Sequence, residues 1–472
     1  MPRERFSRSR SGCLECRKKH QKCDEQQPLC SLCAERGLNC KYPSDFKWIR
    51  QTEPCLSRHR PRRRGDQPLP ERIRRSPALF GDVGFGSTEE KVAWEYYVRL
   101  VSSNVPALDG PDNPYRQVSV AALSSPILLE TIVCIATEHM LNFGLSSVSV
   151  AAERQQRMLR TIGHNLAVIN TQTRRSLQST AVQRNRDHEA LLTAVVLQGI
   201  VVAQTADGVL EPHIKCALFL MQTLNRFHHI PESPLARMTA QRFAMVDVML
   251  AISRQRRPYA PRDFVLYQPD GPRWDLTEPS FHKMTGCPQP LMCFLVRISH
   301  LACDVDEGLG KGVSMDSVLG EAFCLENELR AWGLRYTGTI TNTSPPLEIL
   351  TECFYWTAHL LLARRVFRDA TCSARVQHLS HTCFRLMGHL YTGCGPDSSL
   401  PQPFYLAARE AVTPTDREWV RQKHEEMTAY YREQQRNLAM SLTEQIWQQT
   451  DTSATPEAAI KALDRESCLF IF

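Results

Sequence analysis

Two identical cysteine spacings near the amino terminus are the feature that most constrains how this chain can fold. The pattern Cys-x2-Cys-x6-Cys occurs first in CLECRKKHQKC and again in CSLCAERGLNC. Its members are Cys13, Cys16, Cys23, Cys30, Cys33 and Cys40. The Arg-rich start MPRERFSRSRSG has no apolar segment typical of a secretory signal. We therefore expect reduced thiols and metal binding rather than a disulfide framework.

The spacing predicts a site for two zinc ions. Each half of the repeat offers three thiolates, and a structural zinc ion takes four ligands in a tetrahedron. Two ions need eight ligand positions, which six cysteines supply if Cys13 and Cys30, the first members of the two halves, bridge both ions. The competing arrangement is one zinc held by the two Cys-x2-Cys pairs, which would leave Cys23 and Cys40 without a metal. A chance cluster of free thiols is the remaining alternative.

The same stretch resembles the fungal zinc binuclear cluster family, the Zn2Cys6 transcription factors. All six cysteine positions match, as do the basic run, the Cys-Asp pair after it and the Pro two residues before the fourth cysteine. The resemblance implies one short helix from each half, with the first entering the major groove of double-stranded DNA at a CGG-like triplet. It also implies base contacts from Lys19 and His20, and His20 departs from the Lys common at its position.

Cations are concentrated in the first half of the repeat. Between Cys30 and Cys40, Glu35 and Arg36 cancel, whereas the first half is clearly basic. The candidate DNA-binding residues are Arg17, Lys18, Lys19, His20 and Lys22. Residues 1–80 contain 20 Lys and Arg against 9 Asp and Glu, and the rest of the chain contains 37 against 41. This asymmetry predicts a polyanionic partner at the front of the chain.

The sequence predicts four segments. They are a DNA-binding domain at 1–43 with its cluster at 13–40, a basic flexible linker at 44–86, an all-α domain at 87–450, for which the family resemblance implies a regulatory role, and a carboxyl-terminal tail at 451–472. The linker carries a candidate nuclear-localisation patch formed by Arg58, Arg60, Arg62, Arg63 and Arg64. Pro54 and Pro61 interrupt the region where family members have a coiled coil, so a homodimer is an option that no heptad pattern supports.

Helix signals dominate the long carboxyl-terminal region. Ser125 with Pro126, and Thr413 with Pro414, are predicted helix starts, and Gly144 is a predicted stop. Apolar residues at four-residue spacing predict one face of a further helix, at Leu438, Leu442 and Ile446. A Met-rich segment predicts core packing, by Met238, Met245 and Met249.

The order of segments in this region also resembles the family's fungal-specific regulatory domain, over roughly residues 90–449. The stretches that carry the resemblance are WEYYVRLVSSNVPAL, PHIKCALFLMQTL, RFAMVDVMLAISRQRRP and PFYLAAREAVTPTDREWVRQ. It implies an all-α body through which ligands or partner proteins modulate transcription.

Motifs of catalysis and membrane insertion are missing from the sequence. It has no Gly-rich phosphate loop, no His-Glu-x-x-His and no Gly-x-Ser-x-Gly, so we expect no enzyme activity. The longest apolar run, 190–203, is shorter than a membrane span and predicts a buried helix. Single histidines and isolated thiols elsewhere are expected to be structural, namely His213, His359, Cys287 and Cys293.

Together these observations predict a small zinc cluster domain, a linker and a large all-α helical regulatory domain. The expected function is nuclear, sequence-specific transcription regulation with two Zn²⁺ ions as cofactors. The expected partners are double-stranded DNA and the transcription machinery or regulatory proteins, and no membrane. The family resemblance implies a metabolic or secondary-metabolite gene cluster as the type of target. The alternative is a zinc-module interaction scaffold or co-regulator without sequence-specific DNA binding.

Overall fold

The structure is a computed structural model. It describes residues 13–19, 21, 23–24, 26, 29–40, 85–172, 181–205, 210–227, 233–262, 281–311, 315–338, 340–341, 343–453 and 455–467. The chain divides into two units, residues 1–74 and residues 75–472. Each is described by itself.

The described part of the first unit is built around thiols rather than aliphatic side chains. It contains helix α1 (Leu14–Lys18) and helix α2 (Ser31–Glu35), each five residues long. Helices this short are not stable alone in water. Among the described residues of this unit, the buried side chains are those of five cysteines, with Leu32, Leu38 and Cys40 packed against them. The sulfur cluster therefore takes the place of a hydrophobic core.

The second unit is mainly helical, and no β-strand occurs among its described residues, which confirms the predicted all-α domain. Its helices are α3 (Thr88–Tyr96), α4 (Ser102–Asn104), α5 (Pro114–Ala122), α6 (Pro126–Asn142), α7 (Val148–Gln172), α8 (Ala181–Gln204), α9 (Glu211–Thr223), α10 (Pro234–Ser253), α11 (Phe281–Thr285), α12 (Gln289–Lys311), α13 (Met315–Tyr336), α14 (Pro346–Leu361), α15 (Ala374–Gly388), α16 (Pro401–Ala408), α17 (Pro414–Tyr431), α18 (Gln434–Thr452) and α19 (Glu457–Glu466). Two π-helical turns, Tyr97–Val101 and Leu362–Val366, extend α3 and α14, and a 3-10 turn spans Pro396–Ser399. Helix α19 lies in the segment named above as the tail.

Local signals fix several helix ends as the sequence indicates. The Thr413 hydroxyl accepts a hydrogen bond from the Asp416 amide at 3.1 Å, and Pro414 occupies the first position of α17. Pro126 likewise opens α6, although the side chain of Ser125 does not cap it. Gly144 has a φ of +71°, a conformation that costs glycine little, and it follows the end of α6.

Helix α6 packs against both α7 and α8, and α8 also packs against α9. The predicted apolar run at 190–203 lies in α8 and is largely buried. The three methionines of the Met-rich segment are also buried, with Met238 fully covered. No described helix is long and apolar enough to span a membrane.

The apolar helix face predicted for Leu438, Leu442 and Ile446 is wrong at Leu438. Leu442 and Ile446 of α18 are buried, but Leu438 is 36% exposed, and the preceding buried apolar residue is Ala439. A strict four-residue repeat rotates by about 40° at each step because an α-helix has 3.6 residues per turn. The core therefore follows a stripe of alternating four- and three-residue steps, which leaves Leu438 at its edge.

A buried cation joins α5 to α10. Arg242 is fully buried, and its Nη1 donates to the hydroxyl oxygen of Tyr115 at 2.7 Å. The Tyr97 hydroxyl donates to the backbone carbonyl of Tyr115 at 3.3 Å. Burial lowers the pKa of the Arg242 guanidinium, which the nearby tyrosine oxygens counteract. This polar group lies within a helix whose sequence is otherwise mostly apolar.

Candidate metal centre and nucleic-acid interface

Six sulfur atoms converge in the first unit and form two groups of four. One group contains Cys13, Cys16, Cys23 and Cys30, and the other contains Cys13, Cys30, Cys33 and Cys40. Within each group the sulfurs lie within 4.8 Å of one another. Cys13 and Cys30 belong to both groups. Each group has the number and type of ligands that a structural zinc ion takes.

The distances between sulfurs match a metal-centred tetrahedron. The Sγ of Cys13 lies 3.7 Å from that of Cys30 and 3.6 Å from that of Cys33, and Cys16 lies 3.7 Å from Cys30. A tetrahedron with zinc–sulfur bonds of about 2.3 Å has edges of about 3.8 Å. A disulfide needs a separation of about 2.05 Å, and these cysteines are free. The arrangement therefore suits metal binding and not cross-linking.

Backbone amides support the sulfurs in the same way in both halves. The Cys13 amide donates to the sulfur of Cys23, and the Cys30 amide donates to the sulfur of Cys40, each at 3.4 Å. The Cys16 amide donates to the sulfur of Cys13 at the same distance. Burial raises the pKa of the facing thiols Cys16, Cys30 and Cys33. It acts in the same direction on Cys13, but the Cys16 amide and the facing thiols lower the pKa of Cys13 to about 6. Such amides favour the thiolate, the form that binds a metal.

Two polar contacts fix the second half of the repeat. The Oδ2 of Asp24 accepts a hydrogen bond from the Ser31 amide at 3.1 Å, at the start of α2. The Ser31 hydroxyl, more than this amide, lowers the pKa of the Asp24 carboxyl. The Arg36 guanidinium donates to Oε1 of Gln21 at 3.1 Å and so links the two halves. In the sequence, the Cys-Asp pair was noticed only because it matches the family pattern. Nothing in the sequence indicated the contact between Arg36 and Gln21.

The candidate DNA-binding residues lie on and just after α1. Arg17 and Lys18 belong to α1, and Lys19 follows its last residue, with its amide donating to the carbonyl of Glu15 at 3.1 Å. Lys18 and Lys19 are exposed. His20, Lys22 and the Arg17 side chain lie outside the described residues, as do the five arginines of the localisation patch, Arg58, Arg60, Arg62, Arg63 and Arg64.

Comparison with known families assigns both units. Residues 93–460, well over half of the chain, match the fungal specific transcription factor domain. The chain belongs to this family. Residues 11–49 match the fungal Zn(2)-Cys(6) binuclear cluster domain. A domain of this kind binds zinc, and the cysteine groups described above fit that chemistry.

Several curated fungal regulators are similar to parts of the chain. It is 35% identical over 75 residues to the thiamine biosynthesis regulatory protein of Saccharomyces cerevisiae, which is 15% of this chain and 17% of that protein. It is 31% identical over 109 residues to the transcriptional regulatory protein moc3 of Schizosaccharomyces pombe, or 22% of this chain and 21% of that one. It is 56% identical over 34 residues to the adhesion and hyphal regulator 1 of Candida albicans, or 7% and 5%.

The matched region thus spans about a fifth or less of the length of these relatives. No solved structure is significantly similar to the chain. One matched family is a fungal transcription factor domain, and the other is a fungal zinc cluster domain. The relatives are named as regulatory proteins. The expectation that the chain belongs to a family of regulators, not of enzymes, is confirmed.

Proposed function

We propose that the chain is a nuclear transcription regulator that binds double-stranded DNA sequence-specifically at RNA polymerase II promoters. Two zinc ions would be held by Cys13, Cys16, Cys23, Cys30, Cys33 and Cys40, with Cys13 and Cys30 shared. The observation that carries the proposal is the pair of four-sulfur groups with tetrahedral edge lengths. A module organised in this way presents α1 and the cations beside it on a rigid base.

Charge supports DNA binding through a local surface only. Six thiolates on two Zn²⁺ ions leave a charge of −2, and the side chains of residues 13–40 add only +1. The module as a whole therefore does not attract DNA, and binding depends on where the cations lie. Lys18, the last residue of α1, and Lys19, which follows it, are exposed, whereas Arg36 in the second half is engaged with Gln21. The first half is thus the side that meets DNA.

The proposed roles of the individual cationic residues follow from the chemical groups that the DNA major groove and backbone present. Lys19 and His20 contact base edges of a CGG-like half-site, because an ammonium donates well to guanine O6 and N7. Arg17, Lys18 and Lys22 contact phosphates, which position the protein without reading sequence. The arginines at 58–64 direct nuclear import. The partners are DNA and the transcription machinery, and a metabolic gene set is the proposed target because one relative is named for thiamine biosynthesis.

A gel-shift titration of the full chain tests this proposal. The probes are short duplexes with and without a CGG triplet, in a series of salt concentrations. For Lys19→Ala we expect discrimination between the duplexes to fall by roughly 1 to 3 kcal/mol. For Lys18→Ala we expect weaker binding to both duplexes and a salt slope smaller by about one.

Lys215→Ala is the matched control, because Lys215 is an exposed cation on α9 in the second unit. It should bind both duplexes as the unmodified protein does. A protein that binds neither duplex preferentially, and that Lys19→Ala leaves unchanged, would support the scaffold alternative instead.

A further inference from the structure

A cavity in the helical unit is lined by both cationic and apolar side chains. Its volume is about 470 Å³, within the range of about 300 to 1,000 Å³ typical of small-molecule sites. The lining comes from α10, α12, α14 with its π-helical turn, α16, α18 and α19. The cavity thus lies where the middle of the unit meets its last helix.

One carboxylate in this cavity serves three cations. The Oδ2 of Asp306 lies 2.6 Å from Nζ of Lys461 and 3.6 Å from Nη2 of Arg365. Its Oδ1 is paired with Arg368. These contacts hold the pKa of the Asp306 carboxyl below its usual range against the effect of burial. A single negative charge therefore faces three positive ones.

The other cations of the cavity have carboxylates of their own. Arg364 pairs with Glu410 at 2.9 Å, and Arg409 pairs with Asp464 at 2.6 Å. Glu457 is exposed at the rim. The excess of positive charge is thus confined to the group around Asp306.

Arg365 is the least satisfied member of this group. Its side chain is only 15% exposed. Its Nε is buried and forms no hydrogen bond within the described part of the chain. Burial lowers the pKa of its guanidinium, and Asp306 counteracts that effect. A buried donor with no acceptor is costly, and an anion placed in the cavity would relieve that cost.

The remaining wall of the cavity is aliphatic. It is formed by Ile252, Leu360, Leu361, Leu406, Ile446 and Ile460. These side chains would not contact an inorganic anion productively, whereas an apolar ligand body would remove them from water.

We propose that this cavity binds an organic carboxylate with an apolar body. The carboxylate contacts Arg365, Arg368 and Lys461, and the body packs on the aliphatic wall. Because Ile460 and Lys461 belong to α19, bound ligand would also hold α19 against the rest of the unit. This site lies within the second unit, and its occupancy does not depend on DNA binding.

Isothermal titration of the full-length protein with octanoate and with 2-naphthoate tests the proposal. Octanamide and 2-naphthamide are the neutral analogues, and acetate is the headgroup alone. We expect the two acids to bind at least about tenfold more tightly than their amides and than acetate. If neither acid binds, or if the amides bind as tightly as the acids, the proposal is wrong.

Two neighbouring substitutions on α19, one in the cavity lining and one outside it, provide a matched pair. Ala458 lines the cavity and is exposed, so Ala458→Glu adds a negative charge there at little cost to folding. Ala459→Glu adds the same charge one residue further along α19, outside the lining. We expect the first to weaken binding of the acids about tenfold and the second to have little effect. Equal affinities in the two variants would overturn the assignment.

Arg365→Gln provides an independent test of the cation itself. We expect it to weaken binding of both acids by about tenfold or more and to leave binding of the amides unchanged. Circular dichroism establishes whether this variant remains helical. If it does not fold, the comparison between Ala458→Glu and Ala459→Glu decides the question.

Discussion

The sulfur atoms of Cys13 and Cys30 lie 3.7 Å apart, and both belong to both four-sulfur groups of the first unit. Their equivalence in the repeat is mirrored by their amides, which each donate to the cysteine ten residues later. This relationship gives the proposed zinc site a specific dependence on individual cysteines, because a shared thiolate serves two ions whereas an unshared one serves a single ion.

Cys13→Ser should therefore release both zinc ions, whereas Cys40→Ser should release chiefly one. Cys40 belongs to only one of the two groups. The measurement is zinc per chain by inductively coupled plasma mass spectrometry on fully reduced full-length protein. Cys324→Ser is the control, because Cys324 is exposed on α13 of the other unit. Equal zinc loss in the Cys13 and Cys40 variants would contradict the shared assignment.

Replacing the linker arginines at 58, 60, 62, 63 and 64 with glutamine should move a fluorescent fusion from the nucleus to the cytoplasm. The reason is that a dense cationic patch is what nuclear import machinery binds. The same replacement at Arg72, Arg74 and Arg75 controls for a general loss of linker charge. Unchanged nuclear fluorescence in the first variant would show that the patch is not the import signal.

Two glycines of α13 should respond to alanine with opposite signs. A Cβ at Gly320 meets nothing within 4 Å, so Gly320→Ala should stabilise the helical unit by up to about 1 kcal/mol. A Cβ at Gly333 would overlap the ring of Tyr355, which packs against Trp332. Gly333→Ala should therefore destabilise the unit by about 1 to 3 kcal/mol. Denaturant unfolding monitored by circular dichroism measures both, and a stabilising Gly333→Ala would show that this ring yields easily.

Burial of His359 should make the helical unit less stable in mild acid. His359 is 5% exposed, and burial, with a contribution from Arg330 and Arg375, lowers its pKa to about 4. The unfolded chain takes up a proton near pH 6.5 and the folded chain does not. The stabilisation is therefore complete above about pH 6.5 and is lost progressively as the pH falls toward 4.

His359→Phe should reduce this dependence on pH, because phenylalanine keeps the edge-to-face contact with Tyr355 and cannot be protonated. Between pH 8 and pH 5 the variant should lose less free energy of unfolding than the unmodified protein, by on the order of 1 to 2 kcal/mol. Unfolding midpoints at a series of pH values measure the difference. Parallel pH profiles for the two proteins would rule out His359 as the source.

Sequence patterns predicted the features of this protein that depend on local chemistry. Cysteine spacing predicted which sulfurs would meet, because short loops and single helical turns limit where each thiol can lie. Proline and threonine signals predicted the start of α17. The assumption of a strict four-residue repeat was less reliable, since Leu438 is exposed at the edge of the helix face assigned to it.

Long-range packing decided the rest. No spacing rule links Asp306 of α12 to Arg365 and to Lys461 of α19, yet these residues meet at one cavity. Nor does periodicity indicate that Arg242 lies fully buried against Tyr115, 127 residues away. The sequence by itself determined which six sulfurs converge and the helical class of the second unit, because both follow from contacts between near neighbours. Only the tertiary structure determined which charges share a partner, because that depends on how distant helices pack around one core.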